Sequence, residues 1–147
     1  MIEIFRNKII GVDTSPFIYF FEKKETYLVF LKDFFRLCSE GAFEIVTSSI
    51  TLAEILVNPY KNKNEDIAES YLEILENSKG LRIINIDIPI SKQAAKLRSN
   101  YSIRTPDALQ ISAAINSNAD YFLTNDKDLK KIKEIEVLFL EELIKQN

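Results

Sequence analysis

Residues 8–13 read Lys8-Ile9-Ile10-Gly11-Val12-Asp13, a short apolar run that ends in a carboxylate. Runs of this kind are typical of strands that are buried on both faces of a parallel sheet. Such strands alternate with helices along the chain, so the stretch favours an α/β protein. Asp13 would then lie at the carboxyl end of its strand, which is where open α/β sheets bind ligands.

The rest of the chain continues this alternation of strands and helices. The patterns predict strands at 43–47, 82–87, 120–126 and 136–140, and amphipathic helices at about 25–40, 48–58, 64–78, 89–98 and 105–118. The helix at 48–58 is expected to end before Pro59, and Thr105 is expected to cap its helix with Pro106 at the first helical position. Right-handed crossovers would place the strands in one parallel sheet, with 136–140 at an edge.

Length and composition predict a single soluble domain. The chain has 147 residues, 46% of them hydrophobic, which fits one domain covering residues 1–147. The formal net charge of −3 argues against a protein that coats nucleic acid, but it allows an enzyme with a local basic rim. Cys38 is the only cysteine, which excludes an internal disulfide. We find no signal-peptide pattern and no apolar run long enough to span a bilayer, so we expect a cytoplasmic protein without a membrane partner.

The sequence contains no histidine. This excludes Ser-His-Asp and Cys-His catalytic systems, histidine metal sites and imidazole acid–base chemistry. Catalysis would therefore depend on carboxylates, lysines, hydroxyls or a bound metal ion.

Four carboxylates are candidates for such a site. Asp13 and Asp126 follow predicted strands, Asp107 lies in the first turn of a predicted helix, and Glu54 lies on the short helix after the second strand. A cluster of carboxylates either raises the pKa values of its members or binds a hard cation, and oxygen ligands suit Mg²⁺ or Mn²⁺. Such a cation lowers the pKa of a water molecule and braces a phosphate.

Each of these carboxylates also has a structural interpretation. Thr51 and Glu54 have the spacing of a capping box, and Asp107 suits the positive end of a helix dipole. Asp126 has the character of a turn residue, and Asp13 could cap a following helix. The residues alone leave these alternatives open.

Four segments resemble, in order, the motifs of the PIN domain family, and most closely those of VapC-type toxin ribonucleases. They are Ile9-Ile10-Gly11-Val12-Asp13-Thr14-Ser15, Ser49-Ile50-Thr51-Leu52-Ala53-Glu54-Ile55, Arg104-Thr105-Pro106-Asp107-Ala108-Leu109-Gln110-Ile111-Ser112-Ala113-Ala114, and Phe122-Leu123-Thr124-Asn125-Asp126-Lys127-Asp128-Leu129. Each segment alone is a weak signal, whereas the four in this order form a specific one. The third segment departs from the family pattern at Leu109-Gln110-Ile111-Ser112, and we expect this departure to affect packing more than chemistry.

The resemblance implies a three-layer α/β/α fold with a central parallel sheet and a Mg²⁺- or Mn²⁺-dependent endoribonuclease. By resemblance, Asp13 and Asp107 would bind the metal directly, and Glu54 and Asp126 would complete its shell or orient water. The predicted supporting set has five members: by resemblance, Thr14, Ser15, Thr124 and Asn125 would hydrogen-bond carboxylates or substrate, and Arg104 is a candidate phosphate contact. Lys127 and the Lys61/Lys63 pair are further candidates for phosphate contacts. The resemblance also implies a homodimer, a single-stranded RNA substrate and an antitoxin protein as the partner in a type II toxin–antitoxin pair.

Other functions remain open on the sequence alone. A solitary PIN nuclease in RNA processing has a similar sequence, and a catalytically silent PIN-like domain could serve as a protein-binding module. A haloacid-dehalogenase-like phosphatase is disfavoured because it needs a second aspartate two residues after Asp13, where this chain has Ser15.

Overall fold

A computed structural model describes residues 2–146 of the chain and contains one five-stranded sheet. The strands are β1 (Ile9–Val12), β2 (Glu44–Ser48), β3 (Leu81–Ile84), β4 (Tyr121–Thr124) and β5 (Glu136–Phe139). Their order is β3-β2-β1-β4-β5, and every neighbouring pair is parallel. The predicted parallel sheet with an edge strand at β5 is therefore confirmed.

Eight helices connect and cover the strands. They are α1 (Thr14–Phe21), α2 (Glu25–Ser39), α3 (Ser49–Ile55), α4 (Val57–Lys61), α5 (Glu65–Asn77), α6 (Ile88–Asn100), α7 (Thr105–Asn116) and α8 (Leu140–Lys145). Two 3₁₀ turns lie at Ile2–Phe5 and Lys127–Lys131. Within residues 2–146, no helix combines the length and apolar character needed to cross a membrane.

The hydrophobic core is divided into two clusters by the sheet. The larger contains buried side chains from β1, α1 and α2, among them Ile10, Phe17 and Phe34. The smaller joins α6 and α7 to the sheet through residues such as Leu97, Ile111 and Phe122. Because successive residues of a strand point to opposite faces, the two clusters complete the three-layer α/β/α arrangement.

The packing of α7 on the sheet depends on Gly11 in β1. A Cβ atom at this position would lie 2.5 Å from the Cβ of Ala114 on α7 and 3.2 Å from the ring of Phe122. Only a residue without a side chain allows this close approach. Gly11 therefore sets the distance between the central strand and the helix that carries Asp107.

Three predicted helix features are wrong. The chain between β1 and β2 forms two helices, of which the sequence analysis placed only α2. The helix predicted to stop before Pro59 ends at Ile55, and α4 then includes Pro59 in its first turn, where a missing N–H costs little. Thr105 is the first helical residue of α7, and the capping position belongs to Arg104, whose side chain does not bond the helix end.

Candidate active site

The candidate site lies where β1 and β4 end side by side. Because both strands are parallel neighbours, Asp13 after β1 and Asp126 after β4 emerge at the same edge of the sheet. Thr124, the last residue of β4, is buried between them: its hydroxyl donates to Asp13 Oδ2 over 2.7 Å and accepts from the backbone N–H of Asp126 over 3.0 Å. Thr124 thus joins the Asp13 carboxylate to the backbone of Asp126.

Asp13 both caps α1 and faces the site. Its Oδ1 accepts from the Thr14 backbone N–H over 2.8 Å, which confirms the capping interpretation. The residue is only 8% exposed. Burial raises the pKa of Asp13 to about 6, with the negative charges of Asp107 and Glu54 adding to the effect and the bonds from Thr124 and Thr14 opposing it.

Glu54 reaches the site from α3. Its Oε1 accepts from the Thr14 hydroxyl over 2.6 Å. The capping-box interpretation of Thr51 and Glu54 is wrong, because the cap of α3 is Ser48, which accepts from the Ile50 backbone N–H, and the Thr51 side chain is buried in other hydrogen bonds. The Glu54 carboxylate therefore does not cap the N-terminus of α3.

Asp107 occupies the first turn of α7, as predicted, and pairs with a basic residue. Arg104 Nε lies 3.1 Å from Asp107 Oδ2, and its Nη2 donates to Oδ1 over 3.4 Å. Burial raises the pKa of Asp107 above its ordinary value, with the charges of Asp126 and Glu54 acting in the same direction and Arg104 opposing them. The Arg104 side chain itself is 74% exposed.

One surface opening brings these side chains together. Its lining consists of Asp13, Thr14, Ser15, Ile18, Tyr19, Glu54, Arg104, Asp107, Asn125 and Asp126. All four predicted carboxylates are included, and of the five predicted supporting residues only Thr124 lies beneath the opening and outside its lining. Asn125 is also engaged in the fold, since its Oδ1 accepts from the Glu141 backbone N–H over 2.8 Å.

The donor set fits a hard divalent cation in its chemistry. The ligand atoms of its acidic side chains are all oxygens. The carboxylates also lie close enough to interact, since the charges of Asp107 and Glu54 raise the pKa of Asp13, and those of Asp126 and Glu54 raise the pKa of Asp107. Within residues 2–146, however, no three acidic or cysteine side chains are already grouped tightly enough to hold a metal ion. Asp107 is instead neutralised by Arg104, so the carboxylates are gathered around the opening without forming a closed cage.

The structure also includes polar residues that the sequence analysis did not assign to the site. Gln110, expected to affect packing, is 3% exposed and donates from Nε2 to the hydroxyls of Thr14 and Thr51. A polar residue one turn after Asp107 on an otherwise apolar helix was the available signal. Gln110 is thus part of the buried hydrogen-bond network, and the expectation that the departure at 109–112 affects packing more than chemistry stays a prediction.

The other basic residues considered as phosphate contacts lie elsewhere. Lys127 pairs with Glu141 and Glu142 at 3.6 and 3.8 Å, while Lys61 and Lys63 are exposed and do not line the opening. Among the residues that line the opening, Arg104 alone carries a positive charge.

Comparison with known proteins agrees with this geometry. The PIN domain family matches residues 10–135. A search of curated proteins gives no match. Solved structures with the same fold include VapBC2 from Rickettsia felis bound to a promoter DNA fragment, with a TM-score of 0.72, 25% identity, and coverage of 89% of this chain and 98% of that one.

Two further solved structures share the fold at lower identity. DNA-bound VapBC from Salmonella typhimurium has a TM-score of 0.67 at 20% identity, covering 91% of this chain and 98% of its own. VapC20 from Mycobacterium tuberculosis, described as a toxin that cleaves the sarcin–ricin loop, has a TM-score of 0.63 at 16% identity, covering 87% and 98%.

The fold and the acidic opening define a PIN-type α/β/α domain, and the chain belongs to the PIN domain family. Its structural neighbours include VapBC complexes, which supports placing it among the VapC-type members.

Proposed function

We propose that the protein is an endoribonuclease that hydrolyses phosphodiester bonds of single-stranded RNA with a bound Mg²⁺ or Mn²⁺. The observation that carries this proposal is the convergence of four carboxylates from separate segments on one opening. Such an arrangement destabilises the metal-free fold through burial and repulsion, and a divalent cation would offset that cost. The description of VapC20 as an RNA-cleaving toxin supports the same reaction class.

In this proposal Asp13 and Asp107 bind the cation, and Glu54 and Asp126 complete the acidic shell. When bound, the cation lowers the pKa of a water molecule and offsets the negative charge that develops on the phosphate. Thr124 holds Asp13 and the Asp126 backbone in register, while the Thr14 hydroxyl holds Glu54.

Arg104 is the residue in the opening that would contact the phosphate. In the metal-free protein its guanidinium neutralises Asp107. With a cation on Asp107, the exposed Arg104 guanidinium would no longer be needed to neutralise that carboxylate and would contact an RNA phosphate. Ser15 and Asn125 line the same opening and provide polar contacts for the substrate.

We further propose that the protein is the toxin of a type II toxin–antitoxin pair. Several solved neighbours are toxin–antitoxin complexes, two of them described as VapBC, which supports an antitoxin partner for this chain as well. We propose that residues 1–147 form a single domain, that the protein acts in the cytoplasm and that it forms a homodimer.

Incubation with labelled single-stranded RNA tests the reaction. Wild-type protein is expected to cleave the RNA with Mg²⁺ or Mn²⁺ and to stop when a chelator is added. Mn²⁺ is also expected to raise the melting temperature of the wild type, and Asp13→Asn and Asp107→Asn should lose both responses. Asp128→Asn is the matched control, because Asp128 is exposed and lies just outside the opening.

Cleavage that persists in the presence of chelator would contradict the metal-dependent reaction. Binding of Mn²⁺ without cleavage of any RNA would instead favour a catalytically silent PIN-like protein-binding module. Equal stabilisation of the wild type and both variants by Mn²⁺ would contradict the assignment of the metal ligands.

A further inference from the structure

A buried cluster of polar side chains lies beneath the acidic opening. It consists of Thr14 on α1, Thr47 and Ser48 at the end of β2, Thr51 on α3 and Gln110 on α7. Each of these residues is less than one-tenth exposed. Buried polar groups are costly unless they are fully hydrogen-bonded, so the direction of each bond in the cluster is constrained.

Gln110 is at the centre of this cluster and is held in one orientation. The Ser48 hydroxyl donates to Gln110 Oε1, so the amide oxygen faces Ser48 and the amide nitrogen faces the opposite side. The amide nitrogen then donates its two hydrogens to Thr14 Oγ1 over 3.1 Å and to Thr51 Oγ1 over 2.8 Å. Both N–H hydrogens of the Gln110 amide are therefore hydrogen-bonded.

The two threonines that accept from Gln110 must direct their own single hydrogens elsewhere. Thr51 bonds to Thr47 Oγ1 over 2.7 Å, and Thr47 in turn donates to the Val12 carbonyl over 2.9 Å, so Thr51 is the donor in that pair. The Thr14 hydroxyl has two acceptors within reach, Thr51 Oγ1 at 3.3 Å and Glu54 Oε1 at 2.6 Å. Because Thr51 Oγ1 already accepts from the Gln110 amide, the Thr14 hydrogen goes to Glu54.

Glu54 depends on this bond for its position. The residue is exposed, and within residues 2–146 its carboxylate has no hydrogen bond or ion pair other than the one from Thr14. A glutamate side chain without such a contact samples many rotamers. The Thr14 hydroxyl is therefore what holds Glu54 at the rim of the opening.

We propose that Gln110 is a positioning residue for Glu54: by donating to the Thr14 hydroxyl, its amide directs the hydrogen of Thr14 to the Glu54 carboxylate. The inference rests on the proposed function in that Glu54 is taken to complete the acidic shell. Gln110 itself does not touch the opening and acts only through Thr14 and Thr51.

A double-mutant cycle between Gln110→Met and Glu54→Ala tests the coupling without metal or RNA. Glu54→Ala is expected to cost about 3 °C more in melting temperature in the wild-type background than in the Gln110→Met background, because without the Gln110 amide the Thr14 hydrogen can turn to Thr51 Oγ1, 3.3 Å away, and its bond to Glu54 is weakened. Equal costs in the two backgrounds would overturn the proposal. The same cycle can be repeated with Thr14→Val in place of Gln110→Met if the latter does not fold.

The functional arm measures RNA cleavage by the same four proteins at saturating Mn²⁺. Gln110→Met is expected to lower kcat about tenfold, the typical effect of losing one hydrogen bond to a charged group, with KM for RNA unchanged. In the Glu54→Ala background the same substitution should change kcat by less than about twofold. A reduction of similar size in both backgrounds would show that Gln110 acts independently of Glu54.

Three further variants separate bond direction from packing. Gln110→Glu keeps the shape but replaces the amide donors with acceptors, so it should reduce kcat at least as much as Gln110→Met. Thr14→Val removes the hydroxyl that holds Glu54 and should lose kcat. Ser112→Ala removes another buried hydroxyl of α7, one with no hydrogen-bond partner within residues 2–146, and should leave kcat unchanged.

These arms distinguish failure of the inference from failure of the proposed function. A wild type that neither binds Mn²⁺ nor cleaves RNA contradicts the nuclease, while the melting-temperature cycle still decides whether Gln110 positions Glu54. Retention of full kcat by Gln110→Glu would overturn the inference in an active enzyme.

Discussion

Asp13 is the carboxylate on which the opposing demands of folding and function are clearest. It is buried, it caps α1 and it accepts from Thr124, yet its burial makes the charged form unfavourable. The folded protein keeps the Asp13 proton up to a pH of about 6, whereas an unfolded chain loses it near the ordinary value of 3.8. The charge therefore reduces the stability of the metal-free protein as the pH rises between these two values.

Asp13→Asn is expected to increase the stability of the metal-free protein at neutral pH. Removing the buried charge should add about 3 kcal/mol to the free energy of unfolding at pH 7.5. The gain should shrink as the pH falls from 6 towards 3.8, because the folded wild type then carries a neutral Asp13. Urea unfolding in a chelator at several pH values measures this difference.

Asp128→Asn provides the control for this comparison, since Asp128 is exposed. It should follow the wild type at every pH. A metal-free Asp13→Asn protein that is less stable than the wild type at pH 7.5 would contradict the assigned cost of burial.

Arg104 competes with a cation for Asp107. Arg104→Gln is expected to tighten Mn²⁺ binding by about fivefold, the upper range for an exposed ion pair, and to weaken RNA cleavage through loss of a phosphate contact. Titration of Mn²⁺ followed by melting temperature measures the first effect. Lys127→Gln removes the same charge nearby but outside the opening, so equal tightening in both variants would show a general charge effect and no competition.

At the level of elements, the contact between β1 and α7 determines where Asp107 and Gln110 sit. Gly11→Ala would bring two Cβ atoms to 2.5 Å and force α7 away from the sheet. We expect a loss of about 2 kcal/mol in the free energy of unfolding, as for other overpacked cores, together with weaker Mn²⁺ binding. Urea unfolding and Mn²⁺ titration measure the two effects.

A compensating substitution separates crowding from other effects of the added methyl group. Adding Ala114→Gly to Gly11→Ala removes the clashing Cβ, so the double variant should recover part of the lost stability despite the cost of glycine in a helix. A double variant that is less stable than Gly11→Ala alone would contradict the crowding argument.

The elements were largely predictable where apolar periodicity was strong and less so at their ends. The run Ile9–Val12 and the cap-rich start of α7 gave clear local signals. The α1 helix was missed because its aromatic residues, such as Phe17 and Phe20, are common to buried strands and helices. The break at Leu56 and the inclusion of Pro59 in α4 depend on tertiary packing, which local propensity does not report.

For the molecule as a whole, the convergence of the carboxylates at one edge of the sheet could be predicted from the sequence, whereas most of the hydrogen bonds that hold the site together could not. Asp13 and Asp126 follow parallel strands, so their position at one edge follows from general topology. The Arg104–Asp107 pair has the i, i+3 spacing of helical ion pairs and could have been read from the sequence. The bonds from Gln110 to Thr14 and Thr51 join residues 96 and 59 positions apart, and only the assembled fold brings them together.

The whole chain is expected to unfold in one cooperative step. The five-stranded sheet joins segments from both halves of the sequence, and the two hydrophobic clusters share it. Scanning calorimetry of the metal-free protein should therefore give equal calorimetric and van't Hoff enthalpies. Two resolved transitions would contradict the proposal of a single domain covering residues 1–147.

The central pairing of β1 with β4 also has a consequence for protein synthesis. More than 100 residues separate β1 (Ile9–Val12) from β4 (Tyr121–Thr124), so the edge that carries Asp13 and Asp126 does not exist until β4 has been made. Chains emerge from the ribosome with the N-terminal part first. The proposed nuclease would therefore be unable to cut RNA as a nascent chain until β4 has emerged and paired with β1.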